Sequence, residues 1–299
     1  MRVGRLPSGR SRPLPRPLET SYGAAARLTR VMPPRPLYGL AGAGGVLWYL
    51  GSRAQRRNAL ANYAAVLGLP QSNPRVAATA RAAFANYGRM LADFVLIGAL
   101  GPDELRGRVT IDGREHADAA LSSGRGCIMA VPHMGSWDIG GSYAGALGYR
   151  IAAVAERFPG SLDDAVVETR QRFGLRVIPL GRAAVRAIQQ ELGEGAIVAL
   201  LCDLPHGPGV EVEMFGRRAT VPAGPASFAC KAGAPLLPAY VRMTAPGRYH
   251  ITIEEPIPTA GRGVGREATR DLMQEVARRF EAFIGAYPEQ WYAFRPMFA

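Results

Sequence analysis

Short apolar runs alternate with segments of helical periodicity along most of this chain, beginning near residue 109. An apolar run bounded by turn residues is typical of a buried strand, whereas a longer run with a 3.6-residue period is typical of a helix. Strands joined by helices pair in parallel, because each crossover returns the chain to the same end of the sheet. We therefore predict an α/β fold with a central, mainly parallel sheet flanked by helices. The predicted strands are Val109–Ile111, Cys127–Val131, Ile151–Ala155, Val177–Leu180, Ala196–Cys202, Leu236–Arg242 and His250–Ile253.

The predicted helices fill the intervals between these strands and extend to both sides of them. Their predicted ranges are 53–68, 75–100, 116–122, 138–147, 161–173, 182–193, 223–232 and 266–286. A chain of 299 residues is long enough for one large α/β domain or two small ones. It contains no internal repeat and no clear linker after residue 57, so we predict a single catalytic domain.

The formal net charge of +12 is concentrated at the N-terminus. Residues 1–57 hold eleven arginines and one acid, Glu19, whereas the rest of the chain has a net charge of only +2. No stacking aromatic residues alternate with these arginines, which argues against nucleic-acid binding. Apolar segments lie beside the charge instead, and this combination favours an anionic membrane surface. For the first residues, a solvated tail without a function is the alternative.

Two segments that follow the basic tail indicate how the chain contacts an anionic membrane surface. Residues 20–32 have weak helical amphipathicity, and residues 36–51 combine glycine with apolar and aromatic residues, including Trp48 and Tyr49. The second segment is too short and glycine-rich to span a bilayer, and its aromatic residues suit the headgroup interface. An ordinary helix pair packed on the core is the alternative. We divide the chain into a disordered basic tail (1–19), membrane-associating interfacial helices (20–57) and the catalytic domain (58–299).

The predicted strand Cys127–Val131 leads into a histidine and a carboxylate, His133 and Asp138. In a continuous helix, five residues turn the chain by roughly 500°, which separates the two side chains. A loop that enters a helix near Ser136 lets them meet, and Ser136 itself suits a helix cap better than a nucleophile. Asp138 then orients the imidazole, and His133 takes a proton from a hydroxyl group. A histidine beside a helix cap, without a catalytic role, is the alternative.

The cysteines and remaining histidines give little indication of a metal site. Cys127, Cys202 and Cys230 are scattered within apolar runs, which indicates buried thiols in a reducing compartment. A metal site formed by His133, Asp203 and His206 is conceivable, but this spacing is unspecific. We therefore predict no metal.

Several blocks of the chain, in the same order, resemble the bacterial lipid acyltransferases related to lysophospholipid acyltransferases. Within these, the chain is most similar to the late acyltransferases of lipid A biosynthesis and the acyltransferases of phosphatidylinositol mannosides. The resemblance spans roughly residues 20–296. The matching blocks are His133–Asp138, Ala155–Arg157, Arg170–Gly174, Leu201–Leu204, Gly209–Gly216, Pro222–Ala226, Gly233–Pro238 and Pro288–Trp291.

The resemblance implies a role for several individual side chains. His133 is the expected general base and Asp138 its orienting partner. Other expected site residues are Glu156 and Arg170 near a polar acceptor, and Asp203, Phe215 and Gly216 shaping the site. A surface ion pair for Glu156, a solvated arginine for Arg170 and a simple turn at Phe215 are the alternatives. Two departures from the family pattern are Leu201, where relatives often carry an acidic or polar residue, and Met214, where close relatives often carry phenylalanine.

The implied reaction is transfer of a fatty acyl chain from acyl-CoA or acyl-carrier protein to a hydroxyl of a membrane glycolipid or phosphoglycolipid. The chain has no Gly-x-Ser-x-Gly elbow, so we expect direct transfer without an acyl-enzyme. The acyl donor is a co-substrate, and no cofactor is expected. We predict a monomer bound peripherally to the cytoplasmic face of the plasma (inner) membrane. A catalytically inactive lipid-binding scaffold and an acyl-CoA hydrolase are the alternative functions.

Overall fold

The computed structural model describes residues 33–155, 161–207, 209–259 and 261–298. The predicted tail (1–19) and the helix expected within residues 20–32 lie outside the described residues.

Seven strands form one mainly parallel sheet, as the alternating pattern predicts. The strand order is β1-β9-β8-β2-β5-β3-β4, and only the β8–β9 pair is antiparallel. A separate antiparallel hairpin, β6–β7, was not predicted from the sequence. The strands are β1 (Val109–Asp112), β2 (Cys127–Val131), β3 (Ile151–Ala155), β4 (Leu175–Pro179), β5 (Ile197–Leu201), β6 (Gly209–Met214), β7 (Arg217–Pro222), β8 (Leu236–Ala245) and β9 (Arg248–Ile253).

Helices cover both faces of the sheet and confirm the predicted single α/β domain. Their bounds differ from the predicted ones by a few residues at most, and the short helix α4 is additional. The helices are α1 (Pro34–Gly51), α2 (Arg53–Leu67), α3 (Pro74–Ile97), α4 (Pro102–Arg106), α5 (Arg114–Leu121), α6 (Trp137–Ala146), α7 (Ser161–Arg172), α8 (Ala184–Gly193), α9 (Gly224–Ala232) and α10 (Arg266–Ala286).

Strand β2 separates two hydrophobic cores, because successive side chains of a strand point to opposite faces. Ile128 and Ala130 belong to the core on one face, together with α2, α8, α9, α10 and most of α3. Cys127, Met129 and Val131 belong to the core on the other face, with α5, α6 and the end of α3. All five side chains are buried, as expected for a central parallel strand covered on both sides. The loop that follows β2 is therefore anchored at the centre of the molecule.

Helices α1 and α3 pack with their backbones in close approach. A Cβ atom at Gly45 would lie 2.0 Å from the carbonyl oxygen of Phe84, and one at Gly88 would lie 2.2 Å from the carbonyl oxygen of Ala41. Neither distance leaves room for a side chain, so only glycine permits this contact at both positions. The glycine content of α1 thus serves helix packing.

The aromatic residues of α1 face the protein, which differs from the predicted position at a membrane interface. The Trp48 ring lies 4.7 Å from that of Phe84, 5.5 Å from Tyr87 and 5.3 Å from Phe294, and Tyr49 is buried. The orientation of α1 about its axis explains this difference. The glycine side of α1 packs against α3, and Trp48 and Tyr49 lie on that same side of the helix. The exposed apolar residues of α1 are Leu40, Leu47 and Leu50, with 67%, 68% and 59% of their surface exposed. In the part of the chain that the structure describes, no helix has the length and apolarity needed to cross a membrane.

A buried carboxylate, Asp93, joins helices α1 and α3 to strand β9. The hydroxyls of Tyr38 in α1 and Tyr249 in β9 both donate to Asp93 in α3, and the two tyrosine oxygens lie 2.7 Å apart. Burial raises the pKa of Asp93 to about 7, although the hydrogen bonds from Tyr249 and Tyr38 act in the opposite direction. Ionisation of Asp93 in the folded protein therefore opposes folding.

We expect Asp93→Asn to be more stable relative to the wild type at pH 8 than at pH 4.5. The Asp93 pKa is raised on folding, so the unfolded chain loses this proton first, and wild-type stability falls between about pH 4 and pH 7. The variant lacks this loss, which is on the order of a few kcal/mol. Urea unfolding at several pH values measures the difference. The exposed Asp103→Asn is the control, and equal pH profiles for Asp93→Asn and the wild type would contradict the prediction.

Candidate active site

The loop after β2 turns sharply before α6 begins. Gly135 adopts a φ of 57°, and a Cβ there would lie 1.7 Å from the carbonyl oxygen of Val241, so this position requires glycine. Ser136 is buried at the N-cap position of α6, but its side chain makes no capping hydrogen bond. The chain leaves the direction of β2 at Pro132, so His133 lies at the carboxyl edge of the sheet.

The C-terminal segment pairs with this loop along its backbone. The Gly135 N–H donates to the carbonyl oxygen of Gln290 at 2.9 Å, and the Tyr292 N–H donates to the carbonyl oxygen of His133 at 2.9 Å. Met134 and Trp291 form an antiparallel bridge between them. His133 is therefore held by strand-like pairing on one side and by β2 on the other.

The imidazole of His133 is hydrogen-bonded to Asp203. The distance between His133 Nδ1 and Asp203 Oδ1 is 2.6 Å, and the backbone N–H of His133 donates to the same oxygen at 2.9 Å. Asp203 follows β5, which pairs with β2 in parallel and aligns Val131 with Leu201. Parallel pairing brings the two carboxyl ends of these strands to the same edge, where ligands of α/β sheets collect. Because Oδ1 also accepts from the backbone N–H, we assign the proton of the side-chain hydrogen bond to Nδ1.

The predicted hydrogen bond between His133 and Asp138 is absent from the described hydrogen bonds, and Asp138 pairs with Arg170 instead. The distance between Arg170 Nε and Asp138 Oδ1 is 2.7 Å, and both side chains are buried. Asp138 lies in the first turn of α6, on the side that faces α7. The loop turn at Gly135 directs His133 toward β5. The five-residue spacing correctly indicated a loop-to-helix junction, but not the direction of the two side chains.

The Arg170–Asp138 pair lines a small cavity. The Arg170 guanidinium lies 5.3 Å from the ring centre of Phe94, within the range of a cation–π contact. Asp138 Oδ2 and Ser142 Oγ have no hydrogen-bond partner among the described residues, and both residues line this cavity. Its volume of about 10 Å³ is room for about one water molecule. As it stands, the cavity is too small for a sugar.

His133 remains accessible although its Nδ1 is occupied. Its side chain is 29% exposed, and its ring lies edge-on to Trp137 at 5.6 Å. Trp137 in turn contacts Tyr292 at 6.0 Å, so aromatic rings form a wall beside the imidazole. The imidazole is therefore partly open to solvent beside these rings.

Of the other predicted site residues, Phe215 and Gly216 lie near the His133–Asp203 pair. Phe215 and Gly216 form the two-residue turn of the β6–β7 hairpin, both with positive φ, as a type I′ turn requires. The Phe215 ring lies 6.5 Å from that of Trp291, so the turn adjoins the buried side of the site. Glu156 lies outside the described residues. No cluster of His, Cys, Asp and Glu able to hold a metal exists within the described ranges, including around His206.

Trp291 is the contact residue for which the sequence analysis predicted no role. Its indole N–H donates to Asp203 Oδ2 at 2.6 Å, which completes the hydrogen bonding of this carboxylate. The Pro288–Trp291 block belongs to the family resemblance, and that was the available signal. Trp291 lies 88 residues from Asp203 along the chain. Local sequence patterns therefore do not indicate that the two side chains meet.

A mainly parallel sheet with a histidine–carboxylate pair at the carboxyl ends of two neighbouring strands is typical of α/β enzymes. The chain belongs to the bacterial lipid A biosynthesis acyltransferase family, whose model matches residues 14–299, and it is an acyltransferase. This result confirms the resemblance seen in the sequence blocks.

Named relatives support the same class. The chain is 30% identical over 284 residues to the phosphatidylinositol mannoside acyltransferase of Mycolicibacterium smegmatis, which covers 93% of this chain and 90% of the relative. It is 30% identical over 246 residues to the protein of that name from Mycobacterium tuberculosis H37Rv (79% and 74% covered). It is 28% identical over 246 residues to the lipid A biosynthesis myristoyltransferase of Escherichia coli K12 (80% and 73% covered).

We expect Arg170→Ala to destabilise the protein by roughly 3–5 kcal/mol, because it leaves the buried Asp138 charge unpaired. Adding Asp138→Asn to this variant removes the charge and should recover part of the loss. Urea unfolding measures both effects. Arg270→Ala, which breaks an exposed pair with Asp271, is the control and should cost less than about 1 kcal/mol. Similar losses for Arg170→Ala and Arg270→Ala would contradict this account of the pair.

Proposed function

We propose that the protein transfers a fatty acyl chain from acyl-CoA or acyl-carrier protein to a hydroxyl of a membrane glycolipid or phosphoglycolipid. Family membership establishes acyl transfer, and the relatives named above act on phosphatidylinositol mannoside or in lipid A biosynthesis. The observation that carries the proposal is the hydrogen bond between His133 Nδ1 and the buried Asp203, on a histidine that stays accessible.

The proposed mechanism uses His133 as a general base. Asp203 holds the Nδ1–H tautomer, so Nε2 carries a free lone pair that takes the proton of the acceptor hydroxyl. The hydroxyl oxygen attacks the thioester carbonyl, the carbon–sulfur bond breaks, and His133 returns its proton to the leaving thiolate. The products are an ester and a free thiol, which balances protons and electrons. Asp203 thus takes the orienting role that the sequence analysis assigned to Asp138.

The thiols of the protein favour direct transfer without an acyl-enzyme. Burial raises the pKa of Cys127 to about 12 and raises the pKa of Cys202 well above its usual range. Burial also raises the pKa of Cys230, against a smaller opposing effect of Arg262. A protonated thiol is a poor nucleophile, so none of these cysteines suits attack on a thioester. In this proposal the Arg170–Asp138 pair fixes α6 behind the catalytic loop, and a role for Arg170 and Glu156 in acceptor binding stays a prediction.

We expect His133→Ala and Asp203→Asn each to lower kcat by about 10²–10⁴-fold, because the first removes the base and the second fails to hold its tautomer. The assay follows radiolabelled acyl-CoA, and in parallel acyl-carrier protein, with a glycolipid extract as acceptor. His116→Ala is the control and should retain activity.

Retained turnover in both His133→Ala and Asp203→Asn would refute the mechanism. Product analysis separates the other functions. Free fatty acid formed regardless of added lipid indicates a hydrolase, and no consumption of either donor indicates a scaffold.

We further propose that the exposed face of α1 binds an anionic lipid surface. Leu40, Leu47 and Leu50 project from this helix, and burial of each leucine in an apolar medium contributes roughly 1.5–3 kcal/mol. Exposed arginines, Arg35 before the leucines and Arg53 after them, provide charge complementary to anionic headgroups. The cytoplasmic leaflet carries such headgroups, so we place the protein peripherally there.

A triple variant, Leu40→Ser/Leu47→Ser/Leu50→Ser, should lose most of its binding to phosphatidylcholine vesicles that contain phosphatidylglycerol. Co-sedimentation measures binding, and circular dichroism verifies the fold. Deletion of α1 is a poorer test, because this helix also packs on α3. The matched control is Leu180→Ser, since Leu180 is an exposed leucine on another surface. Equal sedimentation of the triple variant and the wild type would count against the lipid role of α1.

A further inference from the structure

Asp203 is a fully buried carboxylate with three hydrogen bonds from two distant parts of the chain. His133 supplies two of them, both to Oδ1, and the Trp291 indole N–H supplies the third, to Oδ2 at 2.6 Å. Because Asp203 is completely buried, the indole is the donor that satisfies Oδ2. A carboxylate held at both oxygens cannot rotate about its χ2 angle without breaking a bond.

Trp291 is itself held in place by several contacts. It is completely buried, and the Tyr63 hydroxyl donates to its carbonyl oxygen. The Tyr63 ring contacts the indole edge-on at 6.2 Å. The neighbouring Gln290 bonds the backbone of Met243 through both its side-chain oxygen and its nitrogen, at 2.8 and 2.9 Å. The indole therefore points at Asp203 from a rigid support.

The same short segment fixes both partners of the pair. Gln290 and Tyr292 hold the backbone on either side of Met134, and Trp291 between them holds the carboxylate. A displacement of this segment would move the His133 backbone and the Asp203 carboxylate together. This coupling distinguishes Trp291 from an ordinary core aromatic residue.

We propose that Trp291 is a positioning residue for acyl transfer: its indole N–H aims the Asp203 carboxylate so that Oδ1 faces His133 and keeps the proton on Nδ1. The proposal rests on the proposed role of His133 as the base. Trp291 touches neither substrate nor reacting atoms, and it acts through Asp203. Loss of the N–H leaves Oδ2 unpaired in a buried site and frees the carboxylate to turn away from the imidazole.

The test removes the indole N–H of Trp291 and keeps an aromatic ring at this position. Trp291→Phe is the first variant. The second incorporates benzothienylalanine at position 291, which has the shape of tryptophan with sulfur in place of the N–H, so packing is preserved if phenylalanine destabilises the fold. We expect kcat per folded enzyme to fall about 10–100-fold, by analogy with the loss of outer hydrogen-bond partners of metal-ligating side chains. KM for the acyl donor should change little, because uniform binding is untouched.

Proton NMR supplies a readout that does not depend on activity. With four histidines in the chain, ¹⁵N-histidine labelling gives few ring N–H signals, and the His133 Nδ1–H signal is assigned by its loss in His133→Ala. We expect this signal to shift or to broaden by solvent exchange in both Trp291 variants. Thr269→Val, which removes a buried hydroxyl bonded to the Gly265 carbonyl oxygen at the start of α10, is the control, and it should lower stability without moving the signal.

Unchanged kcat together with an unchanged Nδ1–H signal in the benzothienylalanine protein would overturn the proposal. A shifted signal with unchanged kcat would also overturn it, since the indole would then hold the carboxylate without assisting transfer. Failure of the proposed function is recognised separately, by retained turnover in His133→Ala.

Discussion

The Asp203 carboxylate accepts hydrogen bonds from the backbone and ring of His133 and from the indole of Trp291, and it is fully shielded from solvent. Burying a carboxylate costs free energy unless hydrogen bonds or an opposite charge compensate it, because desolvation disfavours an isolated charge strongly. The ends of β2 and β5, the sharp turn at Gly135 and the C-terminal segment must therefore all be in place together. The geometry of the histidine follows from the requirement to satisfy this one side chain.

The bounds of the helices and strands can be predicted from local periodicity, whereas contacts between residues on different strands cannot. Strand β2 and helix α10 have the bounds that their apolar patterns predict. The sequence also indicated that His133 and Asp203 belong to a site, but it assigned the histidine to Asp138. Five residues of separation made Asp138 the nearest acid along the chain. The pairing of β2 with β5 brings Asp203 closer, and strand order in a sheet is a non-local property.

A similar limit applies to α1. The sequence analysis predicted an apolar, glycine-rich helix with a lipid-facing side, and it placed Trp48 on that side. Gly45 determines which side of α1 faces the protein, because the helix can approach α3 closely only along its glycine face. Trp48 follows that face inward and the leucines face out. Helix α3 then links α1 to the site, since the Asn86 side chain donates to the Glu289 carbonyl oxygen next to Gln290 and Trp291. The exposed leucines and His133 thus belong to one continuous packed body.

The Asp203 hydrogen bonds join residues that are 70 and 88 positions apart. Closing loops of this length costs conformational entropy, which the local contacts within a helix do not require. The hydrogen-bonded orientation of His133 is therefore a property of the finished fold and of no single helix or strand.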